Sequence, residues 1–193
     1  MKDRIVCLVG ESGSGKSTIA ELLENEGYNY IQSYTDRPRR YKNERGHIFI
    51  TRKEYFQVII KDKLKKDIIA PTCFGGNHYF ATKKQYKGKG VSIYVIDAKG
   101  VKQLRQTIKD AKIVVIYLKC DKWTRAIRMW CRKNKNNVVS YSCPENWDNI
   151  DTDIKERILH DEQSFKVVSC DYVVDANRDI EEVLKDVKNI INT

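Results

Sequence analysis

Eight consecutive residues, Gly10-Glu11-Ser12-Gly13-Ser14-Gly15-Lys16-Ser17, have the types and spacing G-x-x-x-x-G-K-[ST]. Their chemistry is anion binding. Glycines let successive backbone N–H groups converge on phosphate oxygens that side chains would otherwise block. A helix starting where the loop ends aims its positive pole at the same anion. Lys16 can reach terminal phosphates, and the Ser17 hydroxyl is a ligand type that Mg²⁺ accepts. Gly10, Ser12, Gly13, Ser14, Gly15, Lys16, Ser17 and Thr18 are therefore the candidate residues for a nucleoside triphosphate. A chance glycine-rich turn would lack the context found here, an apolar run Ile5-Val6-Cys7-Leu8-Val9 before the loop and an amphipathic stretch after it.

A second cluster supplies a site for a partner anion. Ser33-Tyr34-Thr35-Asp36-Arg37-Pro38-Arg39-Arg40 concentrates three guanidinium groups in one turn. Arginine grips phosphate in a bidentate manner and keeps its charge at any working pH. At the carboxyl end of a neighbouring strand, such a turn would face the glycine-rich loop across the crevice where open α/β sheets bind ligands. The plain alternative is a solvated basic turn.

The elements that must position these residues alternate. Residues 5–9 read as a strand and 17–26 as a helix with Ile19, Leu22 and Leu23 on one face and Gly27 as its stop. Residues 28–33 read as a second strand; 34–90 are less regular, with a helix near 53–61 and hairpin-like pieces around Phe49 and Tyr79. Strands follow at 91–96, 113–118 and 172–174, and helices at 99–109, 124–132, 154–167 and 180–191. The unbroken apolar run Ile113–Leu118 suits a parallel strand covered on both faces. Residues 133–152 are polar and Asn-rich and read as a mobile loop. The fold class that follows is α/β, a P-loop NTPase three-layer sandwich on a parallel sheet, with an inserted lobe at about 34–90.

Composition bounds the function. A chain of 193 residues makes about one domain with a real core, and 41% apolar content with interspersed charge indicates a globular, soluble protein. No run approaches the ~18 apolar residues of a bilayer span, and no signal-peptide segment precedes Ile5, so a cytoplasmic location without membrane contact is expected. The six cysteines form no C-x-x-C pair; Cys7 and Cys120 lie in or beside apolar runs as small core residues. A zinc site built with His47, His78 or His160 is a minor alternative. The net charge is +10, and residues 31–97 carry +9 of it through fifteen Lys and Arg against six Asp and Glu. The lysines of 61–66 and 83–89 read as solvated faces; the Arg37–His47 stretch reads as a phosphate cleft, with nucleic acid as a further possibility.

The chain resembles the guanylate kinase family. Ser33–Arg40 is similar to that family's S-x-[ST]-T-R-x-x-R, Gly46-His47-Ile48-Phe49 to its G-x-x-Y-x-F, and Lys53-Glu54-Tyr55-Phe56 to its E-x-F element. Phe74-Gly75-Gly76-Asn77-His78-Tyr79 is similar to F-x-G-N-Y-Y, and Tyr94-Val95-Ile96-Asp97 to L-D-I-D. The order is kept across essentially the whole chain. The resemblance implies one domain with a core of 1–33 and 91–193, a nucleoside-monophosphate-binding lobe at about 34–90 and a lid at about 125–157. It implies that Arg37, Arg40 and Tyr79 hold the acceptor phosphate, with Ser33, His47 and Asp97 also lining the acceptor site. Arg128, Arg132 and Arg157 are implied as lid-side arginines that neutralise the transferring group, beside Arg125 on the first of the lid helices. The cofactors implied are ATP and Mg²⁺.

Departures from the pattern fall on base recognition. A guanine presents N1–H and N2–H₂ donors, which the family meets with carboxylates and a hydroxyl. This chain has Ala70, Ala81 and Val95 at those positions, and residues 68–96 contain no Asp or Glu. His47 stands for a phosphate-binding tyrosine and Phe80 for a glycine. A site without partners for buried donors discriminates by several kcal/mol. Three functions follow: transfer of the ATP γ-phosphoryl group to (d)GMP or a related (d)NMP; a P-loop kinase acting on a nucleic-acid end or a phosphorylated small molecule; and a non-catalytic guanylate-kinase-like binding module. The compact arginine turn disfavours a nucleic-acid strand, since no basic groove interleaved with aromatics accompanies it. The intact Gly15-Lys16-Ser17 speaks against a mere scaffold.

Overall fold

A computed structural model describes residues 2–40, 42–60, 67–134 and 143–193. The lysine-rich 61–66 and much of the stretch expected to be a mobile loop, 135–142, lie outside the described residues.

Strand β1 (Asp3–Val9) is the centre of the molecule, buried from Ile5 to Val9. It pairs in parallel with β7 (Val91–Val95) on one side and β8 (Ala111–Lys119) on the other, so that Cys7 lies level with Tyr94 and with Val115. With β2 (Asn29–Ile31) beyond β7 and β9 (Tyr172–Asp175) beyond β8, the sheet runs β2-β7-β1-β8-β9, parallel throughout. Alternation along β1 sends side chains to opposite faces. Val6 and Leu8 join Ile19 and Leu23 of α1 (Lys16–Asn25) and Val183, Val187 and Ile191 of α6 (Ile180–Ile191). Ile5, Cys7 and Val9 join Val101 and Leu104 of α3 (Ala98–Thr107), together with Tyr86. Helices therefore cover both faces of the parallel sheet, a mixed α/β arrangement. Burial pushes the Cys7 thiol up to about 12, an inert core residue as expected.

A second sheet, β4-β3-β6-β5, is formed by β3 (Ser33–Thr35), β4 (His47–Phe49), β5 (Ile68–Phe74) and β6 (Asn77–Thr82). The single strand expected over 28–33 is thus two strands in two sheets. The break falls at Gln32, whose carbonyl accepts from the Gln85 side chain at 2.7 Å rather than from a neighbouring strand. β5 slips register between Ile69 and Thr72, where Ala70 takes a positive φ of 48° at the bulge. Helix α2 (Arg52–Ile60) follows β4.

Helices α4 (Lys122–Asn134) and α5 (Thr152–Ser164) pack together through Ala126, Met129, Ile154 and Ile158, with Ile150 between them. Both start two residues before the expected 124 and 154, and α5 ends at Ser164 rather than at 167. Among the described residues, no helix is long and apolar enough to cross a membrane.

Candidate active site

The glycine-rich loop joins the carboxyl end of β1 to the first turn of α1. Gly13 is required twice over. Its φ is +85°, and a Cβ there would lie 2.7 Å from the Arg125 carbonyl oxygen. Gly15, at φ +91°, caps α1 and faces Arg128, whose Nη1 stands 4.0 Å from the Cβ position. Beneath the loop lies Arg125, only 2% exposed, with Nη1 3.9 Å from the Glu11 carboxylate. Arg125 is a support of the loop rather than one more exposed cation on α4.

Lys16 folds over this cradle, its Nζ donating to the Glu11 carbonyl at 2.8 Å and lying 3.4 Å from the Ser14 hydroxyl. Burial pulls its pKa down to about 8; Asp161 and Glu11 oppose the shift, while Arg157 and Arg132 add to it. Ser17 and Thr18 are exposed at the head of α1. A glycine cradle, an ammonium and an exposed helix-head hydroxyl fit a nucleotide phosphate with Mg²⁺, an ion usually held by one or two protein oxygens plus phosphates and water. Among the described residues, no group of three or more His, Cys, Asp or Glu is placed to hold a metal ion.

α5 reaches the same loop. The Asp161 carboxylate accepts from the Ser12 backbone N–H at 2.6 Å, and Arg157 Nε donates to the Ser12 hydroxyl at 2.7 Å. Asp161 is buried, and it stands on a loop N–H as an anionic ligand would. Neither its position nor its partner is legible from the sequence, because the contact joins residues 149 apart. Arg157 is largely buried; its pKa is lowered by burial first, then supported by Asp161 and depressed again by Arg132 and Arg37.

The arginine turn follows β3. Glu44, buried and not singled out in the sequence, organises it. Arg37 donates from Nη2 to Oε1 at 2.8 Å and from Nη1 to Oε2 at 3.2 Å, and the Arg40 N–H donates to Oε2 at 2.7 Å. Burial works against the charge of Arg37, but the Glu44 hydrogen bonds outweigh it and hold the guanidinium above its ordinary pKa, helped by the nearby Tyr79. Glu44 is held below the ordinary carboxylate range by the same bonds, which overcome its burial. Arg39, the third guanidinium of the turn, is structural: it stacks over Phe49 at 4.1 Å and donates to the Glu44 carbonyl at 2.7 Å. Arg40 feels burial first, then the repulsion of Arg157 and Arg37.

His47 packs at 5.7 Å from Tyr79, ring centre to ring centre. Burial, with Arg37 and Arg40 adding to it, pulls its pKa down to about 4, so the imidazole is neutral at physiological pH. Ser33 is buried, with its hydroxyl 3.4 Å from that of Tyr94. Asp97 caps α3, its Oδ1 accepting from Gly100 N–H at 2.6 Å. Ala70 and Ala81 are buried in the apolar core. Asp36 and Glu44 are engaged within the protein through both oxygens, and Asp97 through Oδ1.

These distances bring two groups together. Lys16, Ser12, Arg128, Arg132 and Arg157 gather around the loop, and Arg37, Arg40, His47 and Tyr79 around the turn. Arg157 joins them, bonded to Ser12 and in electrostatic reach of Arg37 and Tyr79.

Compared with known proteins, the chain is similar to the solved guanylate kinase from Anaplasma phagocytophilum, at 21% identity over 99% of this chain and 85% of that one, with a TM-score of 0.58. The chain has the guanylate kinase fold. No family model and no curated protein matches it. In this chain the loop lies at the end of the central β1 strand and the arginine turn at the end of β3, on the second sheet. The order of motifs in the sequence and the three-dimensional likeness thus agree on fold.

Proposed function

We propose that the chain is an ATP-dependent nucleoside monophosphate kinase that transfers the γ-phosphoryl group of ATP to (d)GMP or a related (d)NMP. One observation carries this reading: Arg157 is bonded to the glycine-rich loop while sharing its electrostatic environment with Arg37 and Arg40 of the turn. A site that bridges a triphosphate cradle and a separate phosphate grip suits a transfer between two phosphates, whereas simple hydrolysis needs only the first.

Little covalent chemistry falls to the protein in such a reaction. Lys16 and the loop amides hold the donor, with Ser17 as the Mg²⁺ ligand. Mg²⁺ held there would supply charge neutralisation for the donor phosphates. Arg37, Arg40 and Tyr79 hold the acceptor phosphate in line, with His47 and Ser33 beside it and Asp97 at the end of β7. Arg128, Arg132 and Arg157 meet the charge that develops on the transferring group. In the domain reading proposed, residues about 34–90 form the acceptor lobe and about 125–157 the lid, whose closure would exclude water.

With both oxygens of Asp36 and of Glu44 held within the protein, the Asp97 carboxylate, the hydroxyls of Ser33 and Tyr94 and backbone groups are what the site offers a base edge. Coupled ADP release from Mg-ATP against every (d)NMP tests the proposal. Turnover with one or a few monophosphates supports it. ATP use that no monophosphate stimulates overturns it.

A further inference from the structure

We propose that Asp36 and His78 form a positioning pair that fixes Arg37 and Tyr79 in register for one acceptor phosphate. This rests on the kinase reading above.

The Asp36 side chain is fully buried and is held twice by one residue. Its Oδ1 accepts from the His78 backbone N–H at 2.6 Å, and its Oδ2 lies 2.8 Å from His78 Nδ1. His78 lies in β6 and Asp36 directly follows β3, the antiparallel neighbour of β6, in which Thr35 lies level with Tyr79. Each is followed in the chain by a residue of the phosphate grip: Asp36 by Arg37, His78 by Tyr79. Tyr79 lies close enough to Arg37 to support its charge. The clamp therefore sits one residue back from both halves of the grip and ties their backbones together.

The clamp is rigid on its outer side. The His78 ring stacks on Tyr55 of α2 with centroids 4.0 Å apart and planes at 16°, and Arg52 Nε stands 3.8 Å from Asp36 Oδ2. A carboxylate that accepts two bonds in fixed directions leaves the turn one conformation. The pair also departs from the motifs that the chain resembles. The motif that Ser33–Arg40 resembles has threonine at position 36, and the one that Phe74–Tyr79 resembles has tyrosine at 78. Both departures fall on residues that touch each other. Neither side chain belongs to the phosphate grip itself, so both act through their neighbours.

The test uses the full chain and the monophosphate giving fastest ADP release. Asp36→Asn and His78→Phe each raise the KM for that acceptor about tenfold, the scale of one charge-assisted hydrogen bond. The KM for ATP and kcat stay within about twofold, the pattern of lost acceptor binding alone. The double variant is no worse than the worse single one, because the two changes break the same link. His78→Phe keeps a ring on Tyr55 and the backbone donor, so it carries the test should Asp36→Asn not fold; thermal melting of each variant separates the cases. An unchanged acceptor KM, equal loss toward ATP and acceptor, or a double variant whose defects multiply overturns the pair while leaving the kinase reading intact. A wild-type chain that turns over no monophosphate overturns the kinase reading itself, and the pair with it.

Discussion

Arg157 and Ser12 are separated by 145 positions in the chain and meet at 2.7 Å, guanidinium Nε to hydroxyl. The bond ties α5 to the glycine-rich loop and holds a cation among cations, since Arg132 and Arg37 both repel it. Asp161 offsets part of that repulsion, and a transferring phosphoryl group would offset more. Arg157→Ala is expected to lower phosphoryl transfer about 10²-fold, the scale of one preorganised charge donor. Arg157→Lys should recover only a fraction, because an ammonium cannot reproduce the fork. Single-turnover rates measured at saturating ATP check both.

Lys16 gives a pH prediction. Its pKa in the free protein is about 8, below the ordinary lysine value. The charged form that phosphate needs is therefore present below pH 8 and lost as pH rises through it. The kcat/KM for ATP should fall above about pH 8, since that ratio reports the free enzyme. Lys16→Ala should abolish transfer while far-UV circular dichroism stays unchanged. A flat profile to pH 9.5, or an active Lys16→Ala protein, would contradict the role given to this lysine.

Arg37 and Glu44 are a nearly buried pair, with side chains 10% and 6% exposed. Removing the carboxylate leaves Arg37 and the Arg40 N–H without their partner, so Glu44→Ala should destabilise the chain by about 3 kcal/mol. Urea unfolding measures this. Arg37→Ala acts differently, chiefly raising the KM for the acceptor, and an ATP affinity that falls instead would show that Arg37 serves the donor.

His47 sets acid sensitivity. Its pKa falls from 6.5 when unfolded to about 4 when folded. Between those values the unfolded chain binds the proton and the folded one does not, so stability is lost as pH falls from 6.5 toward 4. The loss is at most about 3 kcal/mol. Glu44, held low when folded, acts in the same direction at the acid end. His47→Phe should flatten the decline in melting temperature between pH 6.5 and 4 without abolishing it. An identical decline in that variant would place the acid sensitivity elsewhere.

Local pattern made the glycine-rich loop, the buried β1 and the helix Ile180–Ile191 legible, since each is a statement about residues close in sequence. Arg37 and Tyr79 were reached through motif resemblance. Other features depend on how side chains meet in the folded chain and leave no mark in the local pattern. The strand over 28–33 divides because Gln85 captures the Gln32 carbonyl from 53 positions away. Glu44 looks like one more charge in a basic turn until its oxygens are seen on Arg37 and Arg40. Arg125 shares a helix face pattern with Arg128 and Arg132, yet it lies buried beneath Gly13.

Following the γ-phosphoryl group of labelled ATP into product distinguishes a kinase from a hydrolase in a single reaction. With Mg²⁺ and a mixture of all (d)NMPs, label should enter the β-position of a nucleoside diphosphate, one for each ATP consumed. Label found only as inorganic phosphate, or ATP left intact, would contradict transfer between the two phosphate sites.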